Sequence, residues 1–105
     1  MTSSLGRKVR ERRKAKGLTL DELGRLTESS KSYIWELENR PAPRPSAEKL
    51  GRIAAVLDVT PEFLINEEQT TPTADQHDQA FFRKYRKSKP EVKEKINRIL
   101  DVLDE

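Results

Sequence analysis

Apolar residues recur at helical spacing through the first 65 residues of the chain. Five segments place apolar side chains three or four residues apart, as the buried face of an α-helix requires. No segment alternates apolar and polar residues as a half-buried strand does. The pattern therefore predicts an all-α fold. The residues that carry it are Leu5, Val9 and Ala15, then Leu20, Leu23 and Leu26, then Ile34 and Leu37, then Ala47, Leu50, Ile53, Ala54 and Leu57, and finally Phe63, Leu64 and Ile65.

Residues that begin and end helices stand at the ends of these segments. A hydroxyl or acid at the N-cap satisfies free backbone amides, and glycine accepts the left-handed backbone that often follows a helix. Thr19 and Glu22 have the spacing of a capping box. The other predicted signals are Ser3 or Ser4 and Gly17 for the first helix, Ser46 for the fourth, and Thr60 followed by Pro61 for the fifth.

The second and third segments form the centre of the pattern. A turn near Glu28 and Ser29 separates them, and the third segment turns Lys31, Ser32, Trp35 and Glu36 away from its apolar face. Two short helices, a tight turn and a polar second helix are typical of a helix-turn-helix, which lays its second helix in the DNA major groove.

The chain divides into two parts at a polar segment. We predict a helical domain over residues 1–67, a linker over 68–75 and a two-helix extension over 76–105, in which Ser88 to Glu91 starts the last helix. The extension must dock on the first five helices or on a second copy of the chain, and we favour dimerisation. Its expected contact residues are Phe81, Phe82, Tyr85, Val92, Ile96, Ile99, Leu100 and Leu103.

Charge is segregated along the chain. Residues 1–16 hold seven Lys or Arg and one acid, and residues 80–90 hold five Lys or Arg and none. A basic surface of this kind attracts phosphate, although a solvated helix face gives the same pattern. Of the first helix, we expect Arg7 and Lys8 to contact phosphate. We expect the five C-terminal cations to be the solvated side of a docking helix, with contacts to phosphate or to a membrane surface as alternatives.

The composition argues against catalysis and against a membrane span. Cysteine is absent, and the single histidine, His77, lies in a polar segment, so no metal site or cofactor is expected. No Ser/His/Asp set or phosphate-binding glycine loop is present, and no apolar run is long enough to cross a bilayer. We therefore expect a cytoplasmic protein that is not an enzyme.

Residues 5–66 resemble a known family. The stretches LGRKVRERRKAKGLT, DELGRLT, SKSYIWELEN and PEFLI, in this order and spacing, resemble the phage Cro/repressor-type (Xre-like) helix-turn-helix transcriptional regulators. The resemblance implies a five-helix domain that binds operator DNA as a dimer and represses transcription. The sequence departs from the family pattern at Leu20, where Gln is common, and at Glu28, where the turn usually has Gly.

The resemblance also assigns roles to single residues. It implies that Ser30, Lys31, Ser32 and Glu36 face DNA bases, and that Asn39, Arg40 and Arg44 approach phosphates. It matches Arg13 and Glu38 to a buried ion pair, which the need of an inward arginine for a carboxylate also suggests. Two alternatives stay open. Glu36 is spaced to pair with Arg40, and Trp35 either touches DNA or packs on the domain rim.

Two functions are consistent with these observations. The favoured one is a sequence-specific, dimeric transcriptional regulator, a repressor that binds double-stranded operator DNA. The alternative is a helix-turn-helix antitoxin or adaptor whose C-terminal helices bind a protein partner.

Overall fold

The computed structural model describes residues 3–41 and 43–104, which form seven α-helices and no strand. Residues 1, 2, 42 and 105, which belong to the predicted domain over residues 1–67 and the extension over 76–105, lie outside the described residues. The all-α prediction is confirmed. The helices are α1 (Ser4–Ala15), α2 (Leu20–Leu26), α3 (Lys31–Asn39), α4 (Ala47–Val56), α5 (Pro61–Ile65), α6 (Ala74–Lys87) and α7 (Pro90–Asp104).

Local capping determines where the first five helices begin. Ser3 and Ser46 accept hydrogen bonds from backbone amides in the first turns of α1 and α4, and Thr60 does the same before Pro61 of α5. Thr19 and Glu22 form the predicted capping box, and the hydrogen bonds from Thr19 lower the pKa of Glu22. These signals need residues only three positions apart, so they follow directly from the sequence.

The core lies among α1 to α5. It is built from residues of the predicted apolar faces and from Val59, which was not predicted: Val9, Leu23, Ile34, Leu37, Leu50, Ile53, Ala54, Leu57, Val59, Phe63 and Leu64. Four predicted inward residues are exceptions, because each is the first or last residue of its helix and projects past the packed face. They are Ala15, Ala47, Leu26, which is 51% exposed, and Ile65, which is 58% exposed.

The C-terminal helices make few contacts with the core. Ala80 is the only buried residue of α6, and α7 has none among its described residues. Lys84 contacts Asp58 at 3.2 Å, but this ion pair is exposed and contributes at most about 1 kcal/mol. Burial alone raises the pKa of Asp58, yet hydrogen bonds from Lys16 and Lys84 outweigh it and hold that pKa below its usual value. The extension is thus only lightly attached to the domain.

Two boundary predictions for this region are wrong. The linker was expected to reach residue 75, but α6 begins at Ala74, because Thr73 and Gln76 form a second capping box. Ser88 was expected to start α7. It instead ends α6, where its hydroxyl donates to the carbonyl of Lys84 at 2.8 Å.

Candidate nucleic-acid interface

Helix α3 presents one buried and one exposed face. Ile34, Leu37 and Glu38 are buried against the core. The residues predicted to face DNA lie on the opposite, exposed side: Lys31, Ser32, Trp35 and Glu36. Trp35 is 49% exposed, so about half of its surface is accessible on this face and the rest is covered by the domain.

Ser30 has a structural role at the start of α3. It is exposed, but its Oγ accepts a hydrogen bond from the amide of Tyr33 at 3.0 Å and caps the helix. An N-cap of this kind typically contributes about 1 kcal/mol. Ser30 therefore fixes where α3 begins, which places Lys31 and Ser32 in its first turn.

The turn between α2 and α3 has a left-handed backbone at Glu28, the position where the resembling family usually has Gly. Glu28 has φ 58°, a conformation that favours glycine. Two residues of α4 hold it: Lys49 Nζ donates to the carbonyl of Glu28 at 3.1 Å, and Arg52 contacts its carboxylate at 3.1 Å. The sequence analysis missed both, because no local signal links residues more than 20 positions apart.

Gly24 lets α2 approach the start of α3 closely. A Cβ atom at Gly24 would lie 2.9 Å from the carbonyl oxygen of Ser30 and 3.1 Å from the amide nitrogen of Lys31. Real Cβ atoms do not approach backbone this closely, so the angle between the two helices depends on the absence of a side chain here.

The other end of α3 is fixed by a buried ion pair. Arg13 Nε donates to Glu38 Oε2 at 2.7 Å, and Arg13 Nη2 donates to Glu38 Oε1 at 3.0 Å. The third hydrogen bond of the guanidinium goes to the carbonyl of Leu18 at 2.9 Å. The hydrogen bond to Glu38 raises the pKa of Arg13 above its usual value. This bidentate contact joins the two residues that the resemblance paired, and it attaches α3 to α1.

Three of the predicted phosphate contacts lie around the C-terminal end of α3. Arg40 and Arg44 are exposed and border one hollow of about 210 Å³ beside Tyr33 and Glu36. Asn39 is half-buried, and its Nδ2 donates to the carbonyl of Trp35 at 2.8 Å. Within residues 3–41 and 43–104, Glu36 and Arg40 form no ion pair, although their spacing allowed one.

Arg7 approaches the same end of α3 from α1. It is exposed and follows Gly6, where a Cβ would lie 2.7 Å from the carbonyl oxygens of Leu37 and Glu38. This close packing places the first turn of α1 against the C-terminal end of α3. Arg40 and Arg44, which line the same hollow as Glu36, form a basic border beside the exposed face of α3.

Lys8 does not belong to this border, so its predicted phosphate contact is wrong. Its side chain is buried, and Nζ donates to the carbonyl of Phe63 at 2.8 Å and to that of Asn66. The ammonium also lies 4.6 Å from the centre of the Phe63 ring, and burial lowers the pKa of Lys8. Backbone carbonyls at the end of α5 lack partners within the helix, and Lys8 satisfies them.

The predicted C-terminal contact residues lie on α6 and α7, and none of them is buried by the other residues that the structure describes. Phe81, Phe82, Ile99, Leu100 and Leu103 are each at least half exposed. Of the remaining three, Tyr85 and Ile96 are half-buried and Val92 is exposed.

In the part of the chain that the structure describes, no three or more acids or histidines are placed to share a metal ion. None of the helices described has the length and apolar character needed to cross a membrane.

Known proteins share this arrangement. The chain is 36% identical over 67 residues to the HTH-type transcriptional regulator SinR of Bacillus licheniformis, an alignment that covers 64% of this chain and 60% of that regulator. The crystal structure of the biofilm regulator SinR in complex with DNA matches with a TM-score of 0.56 and 34% identity, over 59% of this chain and 98% of that one. The structure of the SinR/SinI protein complex matches with a TM-score of 0.58 and 25% identity, over 95% and 94%.

The family follows from these findings. The sequence profile of the helix-turn-helix domain matches residues 4–64, more than half of the chain. The aligned region spans less than two thirds of the regulator from B. licheniformis, so the match concerns the domain. The chain belongs to the helix-turn-helix domain family, and its predicted resemblance to the Cro/repressor-type regulators is confirmed.

Proposed function

We propose that the chain is a sequence-specific DNA-binding transcriptional regulator, a dimeric repressor that occupies an operator and blocks polymerase. The observation that carries the proposal is the exposed face of α3, which is fixed at one end by the Ser30 cap and at the other by the Arg13–Glu38 pair. A recognition helix needs this rigidity, because base contacts depend on side chains held in register with the groove. The function requires no catalytic group or cofactor and places the protein in the cytoplasm.

The roles of the residues follow from their positions. Lys31, in the first turn of α3, is suited to donate to guanine, while Ser32 and Glu36 lie on the same face. Trp35 adds an apolar contact to thymine methyl groups or sugars. Arg7, Asn39, Arg40 and Arg44 bind phosphates and orient the domain without reading sequence.

Salt dependence tests the DNA-binding proposal. Labelled genomic and random fragments are titrated with the protein at two salt concentrations. Each phosphate contact releases counterions, so affinity for both sets should fall as salt rises, and a genomic subset should bind more tightly than random DNA throughout. If no fragment binds in a salt-dependent way, the proposal is wrong.

We propose that the α6–α7 surface joins two copies of the chain. Two half-sites about 34 Å apart need two domains held together, and the exposed apolar residues of α7 are otherwise left in water. The variant with Ile99→Lys and Leu103→Lys should change the mass in solution from a dimer to a monomer. Its control carries Glu94→Gln and Asp101→Asn, which change the net charge equally but on the polar face, and it should remain a dimer. A dimer with both lysines in place would contradict this interface.

The second candidate function is an antitoxin or adaptor whose C-terminal helices bind another protein. The match to the SinR/SinI protein complex supports it, because that alignment extends over nearly the whole chain, including α6 and α7. The salt titration separates the two functions: an adaptor that has lost DNA binding would show no salt-dependent affinity for any fragment.

A further inference from the structure

A groove of about 600 Å³ separates the DNA-binding domain from α6. Its wall on the domain side comes from α4 and from Leu26 at the end of α2, and its other wall comes from α6. Leu26, Val59 and Ala80 contribute apolar surface. None of the described residues that line it belongs to α3 or α7, so it is separate from the DNA-facing surface and from the apolar surface of the last helix.

Gly51 lines the groove, and the packing of the chain does not require a glycine at this position. It lies in the middle of α4, where glycine is less favourable than alanine by about 0.5–1 kcal/mol. The glycines in α1 and α2 have a steric reason, because a Cβ there would strike backbone atoms. At Gly51 a Cβ would meet no atom within 4 Å, and the residue lines the groove. The missing side chain at Gly51 therefore widens the groove, and no close contact within the chain requires it.

The border of the groove is basic. Arg52 and Lys84 pair with neighbouring acids. Arg83 and Lys87 also border the groove, and neither has an acidic partner at salt-bridge distance among the described residues. They lie four residues apart on α6, where like charges repel each other. An anion between them would relieve this repulsion.

We propose that the groove binds a small amphipathic anion, a carboxylate carried on an aliphatic or aromatic body. The apolar body lies over Gly51 and covers Leu26, and the carboxylate accepts hydrogen bonds from Arg83 and Lys87. The volume falls in the range of about 300–1,000 Å³ that is usual for small-molecule sites, which form preferentially where two units meet. The bound molecule braces α6 against the domain. The site does not depend on the proposed function in DNA binding.

Decanoate is the probe for this site. Calorimetric titration of the full chain, below the concentration at which decanoate forms micelles, should show saturable binding. Decyltrimethylammonium has the same alkyl chain and the opposite charge, and it should bind at least about tenfold more weakly, because charge-assisted hydrogen bonds to the two cations are lost.

Variants locate the binding. Gly51→Leu fills the groove from a position where the helix has room for a side chain, so the protein should fold and lose decanoate binding. Arg83→Gln with Lys87→Gln should weaken binding about tenfold. The matched control, Arg86→Gln with Lys89→Gln, removes the same charge from residues not found in the groove lining and should leave binding unchanged.

Three results would overturn the proposal. The first is no saturable decanoate binding by the unaltered chain. The second is equal binding by the Gly51→Leu variant, which would place decanoate elsewhere, such as on the apolar face of α7. The third is that an acidic amphipathic peptide binds and is blocked by Gly51→Leu while decanoate does not bind, which would make the groove a protein-docking surface.

Discussion

Replacing Glu38 with alanine is expected to lower the free energy of unfolding by about 3–5 kcal/mol. The substitution leaves the guanidinium of Arg13 buried without the carboxylate that accepts two of its hydrogen bonds. A helical domain of this size is stable by only about 5–10 kcal/mol, so much of the protein should unfold under mild conditions. Urea denaturation followed by circular dichroism measures the change.

A matched substitution on the same helix controls for helix propensity. Glu36→Ala removes the same carboxylate from the exposed face of α3 and should change stability by no more than about 0.5 kcal/mol. Replacing Arg13 and Glu38 together with methionine should recover part of the loss, because no unpaired charge remains. A loss of less than about 1 kcal/mol for Glu38→Ala would contradict the structural role given to the pair.

The same substitution at two helical glycines should change stability in opposite directions. Gly24→Ala places a methyl group 2.9 Å from the backbone of Ser30, and we expect a net loss of about 1–2 kcal/mol as α2 is forced away from α3. Gly51→Ala meets no atom within 4 Å and should gain about 0.5–1 kcal/mol from helix propensity. Thermal and urea unfolding of the two variants measure both changes.

DNA binding by these variants adds a second measurement. Gly24→Ala should weaken binding to a preferred DNA fragment even at temperatures where the protein is folded, because the start of the recognition helix shifts. Gly51→Ala should bind as the unaltered chain does. Equal stability of the two variants would show that the close approach of α2 to Ser30 does not limit the packing.

The fold could be predicted from the sequence where the determining signal is local. Thr19 and Glu22 cap α2 from three residues apart, and the apolar spacing of Ile34 and Leu37 orients α3. The exposed face of α3 followed from the same periodicity. The left-handed backbone at Glu28 could not be predicted, because the family pattern favours it and the residue type argues against it.

Predictions failed where the position of a residue depends on a long side chain or on a contact with residues distant in sequence. Lys8 lies among basic residues that are mostly exposed, and only the position of the α5 carbonyls, more than 50 residues away in sequence, shows that its ammonium is buried. Lys49 and Arg52 support the turn across more than 20 residues, which no helical pattern records. The groove beside Gly51 depends on how α6 approaches α4, and the sequence of either helix alone does not determine this.

Substitution of Lys31 tests most directly whether α3 reads DNA sequence. The affinities of the unaltered chain, Lys31→Ala and Arg44→Ala are measured on a genomic fragment selected for tight binding and on random DNA. Lys31→Ala should lose about 1–3 kcal/mol on the selected fragment and little on random DNA, while Arg44→Ala should weaken both alike and reduce the salt slope. If Lys31→Ala weakens selected and random DNA equally, α3 does not read bases through this residue, and the central claim is contradicted.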